Sequence, residues 1–325
     1  MPHKSLQKQK LVSVIIPARN EEVTILDLKF AVSELITASS SVDDIKLEFI
    51  VIDNASTDKT WLVLQELLGD LEQVHLYRHV RNMGMQGSIL SGLKLANGQA
   101  AIVLQSDLQD PPELIFEMIE KWRLGANFVA TKIRNRNSNF LDRTSRTFAY
   151  LFLNSLSGVK IQSNAGDFWL IDRKIVDQLI LENTLRPFFR TAIPKIQNAD
   201  ATIVYDRRKR KSGNSNFNFI GKYEFFVDAL LSDARKFSMI FFLFSLCLAG
   251  TSVFLLLASI PVLISSPPDR IHHFAAIFSI SGAAGLLVSA ILFPISLVIE
   301  YVQRVYSDLT ITRSNSYLVS RKDSL

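Results

Sequence analysis

AIVLQSDLQDPPE, residues 101–113, is the stretch whose reading decides the fold. Ala101 to Leu104 is an uninterrupted apolar run, short enough for a buried strand. It ends abruptly in Gln105, Ser106, Asp107, Leu108, Gln109 and Asp110. Pro111 and Pro112 stop the strand, and Pro112 with Glu113 can open a helix. Open α/β sheets bind ligands where polar groups gather at the carboxyl ends of buried strands. Asp107 and Gln109 both offer hard oxygens, and a turn lets both face one Mg²⁺ or Mn²⁺ whose other positions take substrate phosphate. The plainer alternative is a polar strand-to-helix loop with Asp110 as a cap.

The segments before this stretch repeat its pattern. Leu11–Ile16 reads as a strand closed by Pro17, with a helix following Ala18–Glu22 to about Ala38. Strand, polar turn and helix N-terminus together form an anion or nucleotide pocket. Leu47–Ile52 is a second strand, followed by Asp53, then Ser56 or Thr57 as cap for a helix over Lys59–Leu68. Asp53, at a strand's carboxyl end, can accept hydrogen bonds from a ribose or base. Val74–Tyr77 is a third strand, and a glycine-punctuated loop and helix lead back to residue 101. Neither a Walker A loop nor G-x-G-x-x-G after a strand is present. Strands alternating with helices predict a parallel or mostly parallel α/β sheet.

Beyond the central stretch, Pro112–Leu124 reads as a helix and Phe128–Ile133 as a strand that runs into Arg134 and Arg136. Residues 142–157 look helical. Asp167 sits in a turn before FWLID, where it orients a basic group or the metal site, or simply forms the turn, the reading that sequence alone favours. Thr202–Tyr205 is the last strand, followed by five basic residues, Arg207–Lys211. Such a run is usually a solvated face; placed before a Gly-Ser-Asn loop and a membrane segment, it suits phosphate or lipid headgroups better. Residues 217–231 carry apolar side chains at helical spacing and suit an interfacial helix.

No charge occurs between Lys236 and Asp269, enough for one span, and Ile271–Ile299 reads as a second. Basic residues cluster before the first span and after the second, whereas the loop between them has only Arg270. The positive-inside rule then places both termini and the α/β domain in the cytoplasm of a multi-pass protein of the inner (plasma) membrane. The 325 residues carry a net charge of +5. The polar, basic MPHKSLQKQK predicts no signal peptide. Cys247, the single cysteine, implies no oxidising compartment. The expected organisation is a catalytic domain over 1–216, an interfacial helix over 217–236, two spans over 237–302 and a tail over 303–325.

PARNEE, DNASTD, SDLQDPPE, the Arg134 region, GDFWLIDR and YDRRKRKSGNSNF stand here in the order found in the GT-A polyprenyl-phosphate glycosyltransferases. Nearly the whole chain resembles these enzymes, which include the dolichyl-phosphate mannose synthases, and the two terminal spans look most like the bacterial GtrB-type subgroup. The resemblance implies a GT-A, Rossmann-like fold and inverting transfer of a sugar, glucose in the first instance, from a UDP-sugar to an undecaprenyl-type phosphate. It implies that Pro17, Arg19, Glu21 and Asp53 touch base and ribose, and that Ser106 and Asp107 lie against the diphosphate. Asp107 and Gln109 would hold Mg²⁺ or Mn²⁺; Arg134, Arg207, Arg210 and Ser215 match family positions at the phosphates, and Asp167 joins the catalytic set. Gln105 departs from the family, standing where many members have the first Asp of D-x-D.

Other readings stay open. One is a transferase using a GDP-sugar or a glycan acceptor, although a processive synthase's Q-x-x-R-W-type motif and extra spans are missing. Another is a non-catalytic partner of a glycolipid flippase, for which Gln105 alone speaks. Paired spans and the aromatic amphipathic helix favour a homo-oligomer, and no nucleic-acid partner is expected.

Overall fold

A computed structural model describes residues 9–40, 44–134, 166–181, 188–208, 234–265, 270–310 and 318–320. It divides into two compact units, residues 1–232 with 310–325, and residues 233–309. The first is built on a sheet of β1 (Lys10–Ala18), β2 (Ile45–Asp53), β3 (Val74–His79), β4 (Ala100–Val103), β5 (Phe128–Ile133), β6 (Trp169–Asp172), β7 (Ala201–Tyr205) and β8 (Leu318–Ser320). The order is β7-β5-β6-β4-β1-β2-β3-β8. β1 pairs parallel with β2 and β4, β2 with β3, and β5 with β7. β6 is antiparallel to both of its neighbours, and β8 to β3. The sheet is therefore mixed and mostly parallel, as expected.

Helices on both faces explain why the central strands read as continuous apolar runs rather than alternating ones. Val12, Val14 and Ile16 point to α1 (Ile25–Ser40), α2 (Thr60–Leu68) and α4 (Leu114–Arg123). Ile15 points the other way, to α3 (Gly84–Leu95), α5 (Arg173–Leu181) and α6 (Phe189–Ile196). Gly92 lets α3 lie directly on β1, because a Cβ there would collide with Ile15.

Several boundaries differ from expectation. β1 runs through Pro17 to Ala18. β4 ends opposite Ile15, so the missing Pro17 N–H has no ladder partner to lose on that side. Neither Ser56 nor Thr57 caps α2; its N-cap position is Lys59, and Asp58 Oδ1 accepts from Thr60 N at 3.0 Å. β6, α5, α6 and β8 were not anticipated as elements. β8 covers an otherwise open edge with three residues. The helix read over 142–157 and the interfacial helix up to residue 233 lie outside the described residues.

The second unit holds α7 (Ala234–Ser265) and α8 (Arg270–Thr310). Within them, Phe242–Pro261 and Ala276–Ile299 are long and apolar enough to cross a membrane, and 17% of each is buried. A core helix of a soluble protein would be mostly buried. The faces where these helices meet are lined with small residues. Ser289 Oγ donates to Ser245 O at 2.8 Å and Ser279 Oγ to Ser259 Oγ at 3.0 Å. A Cβ at Gly282 would lie 2.8 Å from Ser252 O, so only glycine permits this approach. Phe254, Leu257, Ile280 and Leu287 point outward.

Candidate active site

Chain direction reverses around β1. The β1–α1–β2 crossover runs to one side of β1 and the β3–α3–β4 crossover carries the chain back past it to the other, which opens a crevice at the carboxyl ends of β1 and β4. Antiparallel β6 begins at the same edge, since Trp169 stands opposite Val103. Asp167 therefore arrives beside the end of β4. Ile133 stands opposite Tyr205, which brings Arg134 and Arg207 to that edge as well. One topology thus gathers every candidate site residue that is described: Pro17, Arg19, Glu21, Asp53, Ser106, Asp107, Gln109, Arg134, Asp167 and Arg207. Arg210 and Ser215 lie outside the described residues.

On the β1–β2 side, two loops are clasped together. Asn20 and Ala55 adopt positive φ, 53° and 50°. Asn20 N donates to Ser56 Oγ at 3.0 Å, Thr57 N to Asn20 Oδ1 at 2.9 Å, and Glu21 N to Thr60 Oγ1 at 2.8 Å. Arg19 stays exposed, and Pro17 is half-buried. Asp53 is fully buried. Its Oδ1 accepts from Ser56 N at 3.2 Å, and its Oδ2 lies 3.0 Å from Arg78 Nε. That ion pair is poorly aligned, and Oδ2 has no hydrogen bond among the described residues. Arg78 also donates to Ser56 O and lies over the Trp61 ring. Sequence reading missed Arg78, whose only signal is a basic residue at the end of an alternating strand.

On the β4 side, Leu108 N donates to Gln105 O at 3.2 Å, closing a turn that forces Leu108 to φ 49°. Strained turns of this kind cost about 1–3 kcal/mol and cluster at functional sites. Gln109 N donates to Asp107 Oδ1 at 3.2 Å, and Arg208 N to Gln109 O at 2.9 Å. Asp110 is a buried hub rather than a helix cap. It accepts the Tyr205 hydroxyl, and its Oδ1 lies 3.1 Å from Arg207 Nε. Arg207 Nη2 donates to Gln105 Oε1 at 3.0 Å. Burial pushes the Asp110 carboxyl above its ordinary range, the Arg207 charge and Tyr205 hydrogen bond oppose this, and the charges of Asp107 and Asp167 add to it. Burial and the Asp110 charge likewise push Tyr205 up, so its hydroxyl keeps its proton.

Asp167 is nearly buried and is gripped by Arg190, with Nε to Oδ1 at 2.8 Å and Nη2 to Oδ2 at 2.7 Å. Such fork-to-carboxylate pairs fix orientation as well as charge. Arg190 was not singled out from the sequence; the signal was one cation directly after two buried phenylalanines, Phe188 and Phe189. Gly166 lets this segment pass close to β5, because a Cβ there would lie 2.8 Å from Thr131 Oγ1. Arg134 reaches Asp206 at 3.4 Å on the surface. The basic run is not one solvated face: Arg207 turns inward, and Arg208 pairs with exposed Glu113.

The donor set suits a hard divalent ion held largely by its ligand. Among the described residues no three His, Cys, Asp or Glu side chains form a ready cation cage. Asp107 would offer one carboxylate and Gln109 a neutral oxygen, while Asp110 and Gln105 are engaged by Arg207. Mg²⁺ sites of this kind use one or two carboxylates and take the rest from phosphate oxygens and water.

The model of the family described as glycosyl transferase family 2 matches residues 13–180, which span the crevice from β1 through β6. An uncharacterized glycosyltransferase of Synechocystis sp. is 27% identical over 309 residues, 92% of each chain. The prophage bactoprenol glucosyl transferase homolog of Escherichia coli is 30% identical over 208 residues, 64% of this chain and 67% of that one. Among solved structures, mannosyl-3-phosphoglycerate synthase from Rubrobacter xylanophilus aligns over 70% of this chain and 74% of its own, at 15% identity and a TM-score of 0.47. With its family match extending over more than half of its length, the chain belongs to glycosyl transferase family 2 and is a hexosyl-transferring enzyme.

Proposed function

We propose that the protein transfers glucose from UDP-glucose to an undecaprenyl-type phosphate at the cytoplasmic face of the inner membrane, with inversion at the anomeric carbon. The observation that carries this reading is the juxtaposition at one sheet edge of a buried Asp53, a single metal-type carboxylate in Asp107 and an inward-held Arg207. The naming of relatives as bactoprenol glucosyl transferases supports the lipid acceptor.

Each role follows from the chemistry of its group. Asp53 Oδ2 has spare accepting capacity for a base N–H or ribose hydroxyl, with Pro17, Arg19 and Glu21 around it. Asp107 and Gln109 would hold Mg²⁺ or Mn²⁺, which when bound acts as a Lewis acid on the leaving diphosphate. Ser106 lies beside them, near the phosphates. The attacking acceptor phosphate is already an anion, so no strong base is required. The remaining needs are charge neutralisation and in-line alignment. Arg134, Arg207 and Arg210 serve the phosphates, with Ser215 in the loop beyond, and Asp167 with Arg190 frames the acceptor side.

A membrane-held enzyme fits the two apolar helices. Basic residues on both outer flanks and one in the connecting loop favour the cytoplasmic orientation. The decisive experiment incubates the purified full-length protein with undecaprenyl phosphate, Mg²⁺ or Mn²⁺ and a panel of radiolabelled UDP- and GDP-sugars. A lipid-extractable product from UDP-glucose is expected. No lipid-extractable product from any of the sugars overturns the acceptor, and label entering the lipid only from a GDP-sugar overturns the donor.

A further inference from the structure

We propose that Gln105 is a positioning residue for Arg207, and that this amide–guanidinium contact moves part of the diphosphate neutralisation from a divalent ion to a fixed arginine. The proposal rests on the nucleotide-sugar donor put forward above.

Arg207 is held at two points. Its Nη2 donates to Gln105 Oε1 at 3.0 Å, and its Nε lies 3.1 Å from Asp110 Oδ1. Asp110 is in turn pinned by the Tyr205 hydroxyl. The Arg207 side chain is 25% exposed and that of Asp110 2%, so the guanidinium bridges the interior and the crevice. Its Nε makes no well-aligned hydrogen bond among the described residues, so Asp110 holds the group mainly by charge and the hydrogen bond to Gln105 adds direction.

The choice of glutamine follows from charge. Asp110 and Arg207 together sum to zero. A carboxylate at position 105 would leave a net negative charge facing an incoming diphosphate, whereas an amide accepts the same hydrogen bond without adding charge. The amide oxygen is also occupied and neutral, so it attracts a cation weakly. Among the described residues at this edge, Asp107 is then the carboxylate left to serve the ion. Two consequences follow: the ion alone binds weakly, and the nucleotide keeps appreciable affinity without it.

A double-mutant cycle tests the coupling. UDP and GDP are titrated calorimetrically against the full-length protein in nanodiscs, in Mg²⁺ and in EDTA. Wild type, Gln105→Leu, Arg207→Gln and the double variant are compared. Gln105→Leu is expected to weaken nucleotide binding in EDTA about tenfold, the size of a lost hydrogen bond to a charged group. The same change made on Arg207→Gln is expected to do nothing further. Gln105→Glu keeps the acceptor but adds a charge, so Mn²⁺ alone, followed by electron paramagnetic resonance, should bind at least about tenfold more tightly than to wild type. An undiminished Gln105→Leu effect in the Arg207→Gln background overturns the assignment. So does wild-type EDTA affinity in Gln105→Leu, or unchanged Mn²⁺ affinity in Gln105→Glu should the leucine variant not fold. Failure of wild type to bind either nucleotide with Mg²⁺ instead overturns the donor reading.

Discussion

The two ends of the central strands carry similar polar groups and use them oppositely. At the amino end of β1, Glu48 is buried beside Ser13, whose hydroxyl donates to it at 2.5 Å. Asn97 N donates to the same carboxylate at 2.7 Å, and Gly98 N donates to Ser13 Oγ at 2.8 Å. A Cβ at Gly98 would lie 2.6 Å from Ser13 N, so backbone and network fit without room to spare. At the carboxyl end, Asp53 Oδ2 and Arg207 Nε are buried without aligned hydrogen bonds, and Asn20, Ala55 and Leu108 hold positive φ. A saturated network specifies structure; buried groups with spare bonding capacity in strained turns are where a ligand completes the set.

Substitutions at the two ends should therefore separate activity from stability. The largest effect is expected for Asp107→Ala, which removes the carboxylate proposed to hold the ion. Transfer should fall at least about a thousandfold in kcat/KM, roughly 4 kcal/mol, with an unchanged melting temperature. Turnover close to wild type that remains sensitive to EDTA would remove Asp107 from the ion site.

Arg190→Ala stands between the two classes, because it strips the guanidinium from a nearly buried Asp167. It should cost about 3 kcal/mol of stability by denaturant unfolding, and Asp167→Asn in the same background should recover part of that. Equal losses with and without the Asp167 change would show that the arginine acts through other contacts.

Glu48→Ala should cost about 2 kcal/mol through the unsatisfied Ser13 and Asn97 donors. Steady-state kinetics below the transition should show the KM for the nucleotide sugar unchanged. A raised KM would break the proposed division between the two ends.

The smallest effect concerns pH. The folded Asp110 carboxyl titrates above its ordinary value of 3.8, so the folded state holds that proton more tightly than the unfolded chain. The contribution of Asp110 to stability is then most favourable below 3.8 and declines as pH rises through its raised folded value. Melting temperature followed against pH should show this decline in wild type and a flatter profile in Asp110→Asn. Identical profiles would indicate that Arg207 fully offsets the burial.

By itself the sequence determined the α/β class, most of the strands, the two apolar helices and nearly all of the residues gathered at the crevice. Apolar runs with polar ends are local signals, because burial on both faces and the turn at a strand end each act within a few residues. Long-range decisions were not legible. Pro17 was read as a strand end because the sequence does not show that β4 stops opposite Ile15. β8 became a strand through pairing with β3, some 240 residues earlier in the chain and a partnership that no local pattern encodes. A cap was one reading of Asp110, and Arg207 was expected at the phosphates with nothing to show what would hold it; laying β7 beside β5 carried Tyr205 and Arg207 to the end of β4 and joined them to Asp110. The Arg190 grip on Asp167 likewise needed α6 to be folded against the start of β6. A residue's chemical type is written in the chain, but whether its charge meets water, a carboxylate or an amide is decided by what the tertiary fold places within about 3 Å of it.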